Sequence, residues 1–296
     1  MSTIHSFALP RNIRRGTPAA LGGGLPVTIR VVTWNINSVR LRISSVERLI
    51  EMFSPDVLCL QEIKCREAEF PSAALASLGY KYLAINAQKG YHGVAIISRL
   101  PLTNIKKRDF CEIGDARHVS ANVDSKLVGQ SSISVHNFYV PAGGDVPDVN
   151  ENPKFAHKLS FLREMAEWFG AEGVARNKAI LVGDLNVAPL KNDVWNHKAL
   201  LSVVSHTPIE TQSLAYALSC GPWLDAIRHL MPEPERVYTW WSYRSPNWLL
   251  ANKGRRLDHV WLSEALTESL KAITIVQETR GWERPSDHVP IILDLE

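Results

Sequence analysis

Ile180-Leu181-Val182-Gly183-Asp184-Leu185-Asn186 decides how this chain folds: an apolar run of strand length ends in a polar Gly-Asp-x-Asn corner. The same construction recurs. Val31-Val32-Thr33-Trp34 leads into Asn35-Ile36-Asn37, Val57-Leu58-Cys59-Leu60 leads into Gln61-Glu62, and Ser286-Asp287-His288 precedes the apolar tail Ile291-Ile292-Leu293. One such corner is accounted for equally well by the turn preferences of Asn, Asp and Gly. Four that agree in placement predict buried strands delivering carboxylates, carboxamides and a histidine to one rim.

A rim of Asp, Glu and Asn with one His supplies hard oxygen donors, the set that suits Mg²⁺ and also Mn²⁺. Phosphate-ester hydrolysis is the chemistry such a site serves best. The four cysteines, Cys59, Cys65, Cys111 and Cys220, have no CxxC spacing, so reduced thiols are expected and none is assigned to catalysis.

Working outward, strand candidates are 28–34, 56–61, 93–98, 118–123, 132–140, 179–184, 236–240, 257–262, 272–277 and 290–295. Helix candidates are 41–53, 70–78, 154–169 and 263–271. Phe155, Leu159, Leu162, Met165, Ala166 and Phe169 repeat at helical spacing, as a helix covering a sheet requires. Many strands with few helices, some strands joined directly, predict mixed rather than purely parallel sheets. The expected fold is an α/β four-layered sandwich of two mixed sheets, packed face to face and covered by helices.

Hydrophobic residues make up 45% of the 296 and charged residues 21%, which fits a globular chain with a sizeable core. No apolar stretch reaches the ~18 residues of a membrane span, so no membrane partner is expected. The net charge of +3 says little about partners: the first 46 residues hold six arginines and no acid, leaving the rest of the chain at −3. Residues 1–26 are rich in Gly, Pro and Arg and are expected to form a disordered basic extension. Residues 27–296 then make one catalytic domain. The expected compartment is the cytoplasm of a bacterium, or the mitochondrion or nucleus of a eukaryote.

The ordered set Trp34-Asn35-Ile36-Asn37, Leu60-Gln61-Glu62-Ile63-Lys64, Gly93-Val94-Ala95, Tyr139-Val140-Pro141, Gly183-Asp184-Leu185-Asn186, Arg256-Leu257-Asp258-His259 and Ser286-Asp287-His288 closely resembles the exonuclease III family of abasic-site endonucleases over residues 28–296. That resemblance implies a deoxyribonuclease I-like fold and Mg²⁺-dependent cleavage of double-stranded DNA 5′ to abasic sites, with action at 3′ ends. A monomer is expected, since nothing in the sequence indicates an oligomer. By the same resemblance Asp184 orients and deprotonates water, Asn186 bonds a phosphoryl oxygen, and His288, oriented by Asp258, meets the scissile phosphate. Tyr139 donates to a phosphate oxygen or the leaving group. The implied metal environment is Asn35, Glu62, Asp184, Asn186, Asp287 and His288, and the implied DNA contacts are Lys64, Trp240 and Arg255.

Taken singly, several of these residues also suit plain structural roles. Glu62 could instead pair with Lys64 or Arg66, Tyr139 would serve as a strand aromatic, and Trp240 as core. The chain also departs from the family pattern. Asn37 stands where some relatives carry Asp, Ala142 where Asn or Gln is common, and Arg255 where some place an aromatic. These changes touch metal number and DNA grip rather than the cleavage set. Two further functions share the pattern: an inactive damage-binding module, or a phosphoesterase of the same fold acting on phospholipid or inositol phosphates.

Overall fold

The structure, a computed structural model, describes residues 28–296 except 125–131, 173, 175, 176 and 246. The basic extension expected at residues 1–26 lies outside the described residues. The elements in chain order are β1 (Ile29–Asn35), α1 (Ile43–Phe53), β2 (Val57–Gln61), α2 (Ser72–Ser77), β3 (Tyr82–Asn86), β4 (Val94–Ser98), β5 (Leu102–Lys107), β6 (His118–Val123), β7 (Ile133–Tyr139), α3 (Pro153–Glu172), β8 (Ala179–Asp184), α4 (His197–Leu200), α5 (Pro208–Ser219), β9 (Trp223–Asp225), α6 (Ala226–Leu230), β10 (Trp240–Trp241), α7 (Trp248–Ala251), β11 (Gly254–Arg255), β12 (Asp258–Ser263), β13 (Leu270–Ile275) and β14 (Ile291–Leu295).

Two six-stranded sheets, ordered β13-β14-β1-β2-β4-β3 and β5-β6-β7-β8-β12-β9, account for all but the β10-β11 ribbon. Strand alternation explains why they stack. On β1, Val31 enters the seam between the sheets with Val57, Ile96, Val135, Val182 and Val260, whereas Val32 and Trp34 face outward onto Val46 and Leu49 of α1 and Leu75 of α2. On the other sheet, Phe138 and Leu181 face outward onto Phe161, Leu162 and Met165 of α3 and Leu214 of α5. Strands buried on both faces read as unbroken apolar runs, which is why the central ones are legible in the sequence. The four-layered sandwich is the observed architecture.

Two local elements differ from expectation. Residues 236–239 form no strand; only Trp240 and Trp241 pair, with Arg255 and Gly254. The stretch expected as a helix at 263–271 is a 3-10 turn over Glu264–Ser269, after which Leu270 already begins β13.

Each sheet contains one parallel pair, β1 with β2 and β7 with β8. Both pairs end at the same rim. Phe138 and Gly183 face each other there so closely that a Cβ on Gly183 (φ +140°) would lie 2.0 Å from the Phe138 carbonyl oxygen. Only glycine permits that approach, and the next residue is Asp184.

Candidate active site

Beyond the strand ends, the loops are stitched together by their backbones. Ile36, Ser38 and Val39 donate to the carbonyls of Gln61, Glu62 and Ile63; Val140 donates to Asp184, and Leu185 to Leu257. Trp241 donates to Asp287 and Val289 to Thr239, which brings the last loop onto the same rim. Several residues here hold left-handed backbone: Asn37 (φ 47°), Glu62 (50°), Lys64 (50°) and Asn186 (54°). Non-glycine residues in that region cost of order 1–3 kcal/mol each and persist where the surroundings over-determine them.

The side chains converge. Asn35 donates from one amide nitrogen to Glu62 Oε1 (2.9 Å) and Asp184 Oδ2 (2.8 Å), linking the two sheets. The Asn37 backbone N–H donates to Asn35 Oδ1 (3.1 Å), and its side-chain Nδ2 donates to Asp287 Oδ1 (3.0 Å). Asp287 Oδ2 accepts from Trp240 Nε1 at 2.9 Å. His288 Nδ1 lies 2.8 Å from Asp258 Oδ2, which also accepts from the Thr239 hydroxyl at 2.6 Å; His288 Nε2 lies 3.6 Å from Asp184 Oδ2. Asp184, Asp258 and His288 are all buried, and Asp258 Oδ1 has no hydrogen-bond partner.

Charge follows from this burial. Burial, reinforced by Asp258 and Glu62, pushes Asp184 up to about 7 against the pull of His288 and the Asn35 amide. Burial disfavours the His288 imidazolium, yet Asp258 and Asp184 outweigh it and raise the ring to about 10. Burial also opposes the charge on Glu62, but Lys64 and the Asn35 amide hold that carboxyl below the ordinary range. Asp287 is likewise held low, burial being overcome by His288 and by the Trp240 and Asn37 hydrogen bonds. Tyr139 is pushed well above its usual value by burial, then by Glu62 and Asp184, so it is a neutral phenol able to donate.

The donor set fits a hard divalent cation on the Glu62 side. Glu62, Asp287, Asn35 and Asn37 offer only oxygen acceptors. Lys64 already places an ammonium there, 2.7 Å from Glu62 Oε2 and 2.6 Å from Asn37 Oδ1, so this pocket attracts positive charge. The compact Asp184, Asp258 and His288 group is a poorer ligand set, although its atoms lie within 4.8 Å of one another. With Nδ1 given to Asp258, only Nε2 of the His288 ring is turned toward Asp184.

Among residues expected to meet DNA, Lys64 is turned into the acid cluster. Arg255 Nη1 is held by the Val204 carbonyl (3.0 Å) and Ser205 Oγ (2.7 Å), with its guanidinium 5.3 Å over the Trp240 ring. The Asn186 side-chain nitrogen donates to the Val140 carbonyl (2.9 Å) while its backbone N–H donates to Asp184 Oδ1 (3.0 Å), so the Asx turn and the site coexist. Two participants carry no signal in the sequence. Thr239 binds Asp258, and Arg117 packs its guanidinium 5.0 Å from the Tyr139 ring. Neither stands at a strand-end acid corner, the mark that singles out the others. The cluster floors a cleft of about 830 Å³ whose walls include Trp240, Arg244, Lys253 and Arg255.

Comparison with known proteins agrees with this geometry. Residues 32–288 match the Endonuclease/Exonuclease/phosphatase family. The chain is 29% identical over 270 residues to exodeoxyribonuclease III of Haemophilus influenzae, covering 89% of this chain and 98% of that protein. Its fold matches a 3′ phosphatase from Neisseria bound to product DNA hairpin at 31% identity and TM-score 0.82, over 90% of this chain and 99% of that one. An AP endonuclease from Archaeoglobus fulgidus matches at 28% identity and TM-score 0.82, with the same coverage.

Proposed function

Since the chain belongs to the exonuclease III and abasic-site endonuclease family, within the Endonuclease/Exonuclease/phosphatase group, we propose that it is a DNA-repair nuclease that hydrolyses the phosphodiester 5′ to abasic sites in double-stranded DNA. Trimming of 3′ ends, including removal of 3′ phosphates, is the companion activity. Residues 27–296 act as one catalytic domain, as a monomer. The single observation that carries this is the convergence of Glu62, Asp184, Asp258 and Asp287 on one histidine at the floor of a cleft whose walls include Arg244, Lys253 and Arg255.

In this reaction the oxygen of a water attacks phosphorus as the bond to the 3′ oxygen breaks. Asp184, tied through Oδ1 to the Asn186 N–H, directs Oδ2 at the water and takes its proton. His288, kept protonated by Asp258, donates to a phosphoryl oxygen as charge accumulates, and the neutral Tyr139 phenol gives its proton to the departing 3′ oxygen. Glu62 and Asp287, with Asn35 and Asn37, would hold Mg²⁺, which when bound supplies Lewis-acid charge to the phosphate. Trp240 walls the position of the base-free sugar, and an abasic nucleotide enters at lower cost because it has no base to unstack.

The test is a labelled duplex carrying one tetrahydrofuran abasic mimic, incubated with Mg²⁺ or with excess EDTA, beside an undamaged duplex. A Mg²⁺-dependent single cut immediately 5′ to the mimic is expected. Shortening from 3′ ends alone would make the protein chiefly an exonuclease. Binding without cutting would make it a damage-recognition module, and hydrolysis only of phospholipid or inositol phosphates would move it to another branch of the fold.

A further inference from the structure

Behind the cleft lies an ion pair that the hydrolysis does not use. Lys158 on α3 and Glu210 on α5 are both fully buried, with Nζ and Oε1 2.5 Å apart. Burying two charges gains little stability over a well-packed apolar pair, so what they hold in place is the informative part.

The Lys158 ammonium has three acceptors, and two are backbone carbonyls of the catalytic loops: Asn186 (2.7 Å) and Ala142 (3.3 Å), the latter three residues beyond Tyr139. Asn186, in left-handed backbone, is therefore gripped from the carbonyl side by Lys158 and from the amide side by Asp184. The fit beneath the loop is tight, since a Cβ on Gly143 would meet Lys158 Cδ at 2.9 Å.

Glu210 holds the opposite wall. Both of its oxygens accept the Ser205 N–H at 2.9 Å, and Oε2 accepts the Thr207 hydroxyl at 2.6 Å. Ser205, itself left-handed (φ 86°), accepts from Arg255 through Oγ and from the Ala188 N–H through its carbonyl. Arg255 then lies over Trp240, which bonds Asp287.

We propose that Lys158 and Glu210 are positioning residues for the nuclease: Lys158 sets the Asn186 and Ala142 carbonyls and through them the Asn186 and Tyr139 side chains, while Glu210 sets Ser205 and through it the Arg255–Trp240 wall of the substrate cleft. This role rests on the nuclease function proposed above. The two halves act on different steps. Loss of Lys158 loosens groups that meet the transition state and falls on kcat; loss of the Glu210 contacts loosens the cleft wall and falls on KM.

The experiment compares Lys158→Met, Glu210→Gln, the double variant Lys158→Met/Glu210→Leu, and Ser205→Gly on the abasic-mimic duplex, with Tm measured for each. Lys158→Met should lower kcat ~10–100-fold with little change in KM, the scale of a small misplacement of reacting groups. The apolar double variant should regain thermal stability yet keep the low kcat, because packing is restored and the grip on Asn186 is not. Ser205→Gly suits the backbone conformation and removes the shorter of the two Arg255 Nη1 hydrogen bonds, leaving the Val204 carbonyl, so it should raise KM severalfold at unchanged Tm. A double variant with wild-type Tm and wild-type kcat overturns the role of Lys158. Should that variant fail to fold, an unchanged KM in Ser205→Gly overturns the proposal through its other arm. Wild-type enzyme assayed alongside separates these outcomes from failure of the nuclease function itself, which would show as an uncut duplex in every sample.

Discussion

Two buried ionic clusters flank Leu257, and they are built to opposite ends. Arg256 bonds both oxygens of Asp193 (2.8 and 2.9 Å) and one of Asp225 (2.8 Å), while Arg228 closes on Asp193 from the other side. Two guanidiniums meet two carboxylates, and Asp193 is held below the ordinary range, Arg256 and Arg228 overcoming the penalty of burial. One residue beyond Leu257, Asp258 joins Asp184, Glu62 and Asp287, four carboxylates facing one imidazolium and one ammonium. There Asp184 is driven up to about 7 and Asp258 Oδ1 has no partner. The balanced cluster anchors the chain. The unbalanced one keeps negative charge in reserve for a cation and a proton, which is how a site differs from a staple although both are buried and charged.

The largest effect expected from breaking this contrast lies in the unbalanced cluster. Asp184→Asn should cut single-turnover cleavage by ~10³-fold, within the range for loss of a general base, while leaving abasic-duplex affinity nearly intact. Undiminished cleavage would refute the water-activating role. Next comes the balanced cluster: Asp193→Asn leaves Arg228 without a carboxylate and Arg256 with Asp225 alone, and should cost ~3–5 kcal/mol, read as a lowered urea midpoint. Because the folded-state pKa of Asp193 lies below the unfolded value of roughly 3.9, its stabilisation is complete above that pH and fades as pH falls through the lower value. In Asp193→Asn the stability difference from wild type should therefore shrink in acid, and a constant difference down to low pH would contradict the assignment.

A smaller change is expected at the junction of the two sheets. Thr239→Val removes the hydroxyl that donates to Asp258 and accepts from the Leu257 and Asp258 N–H groups, so it should lower kcat ~10-fold, as for partners that orient an active-site group, and lower Tm as well. Smallest of all, deletion of residues 1–25, which precede β1, should leave Tm unchanged and turnover within about twofold.

The contrast also accounts for what is legible in the sequence. Strand-end acids at Glu62, Asp184 and Asp287 stand out because an apolar run makes a terminal carboxylate conspicuous. Asp193 carries no such mark, and its partners Arg228 and Arg256 are 35 and 63 residues away. Strand β5 leaves no hydrophobic pattern because Leu102–Lys107 lies at a sheet edge with nearly every residue exposed, so its pairing with β6 is visible only in three dimensions. Helix α5 buries only Glu210, Leu214 and Ala217, too thin a stripe to read, although Thr207-Pro208-Ile209-Glu210 carries a capping box. For Lys64 the sequence leaves DNA contact and ion pairing with Glu62 both open, and only the three-dimensional closeness of Asn37 shows where its ammonium rests.

The measurement closest to the central claim is Mn²⁺ binding, followed by electron paramagnetic resonance, in wild type, Glu62→Gln and Asp193→Asn without DNA. Binding weakened ~10–100-fold in Glu62→Gln and unchanged in folded Asp193→Asn is the predicted result, since only the unbalanced cluster keeps charge for a cation. Equal affinity in wild type and Glu62→Gln would contradict it.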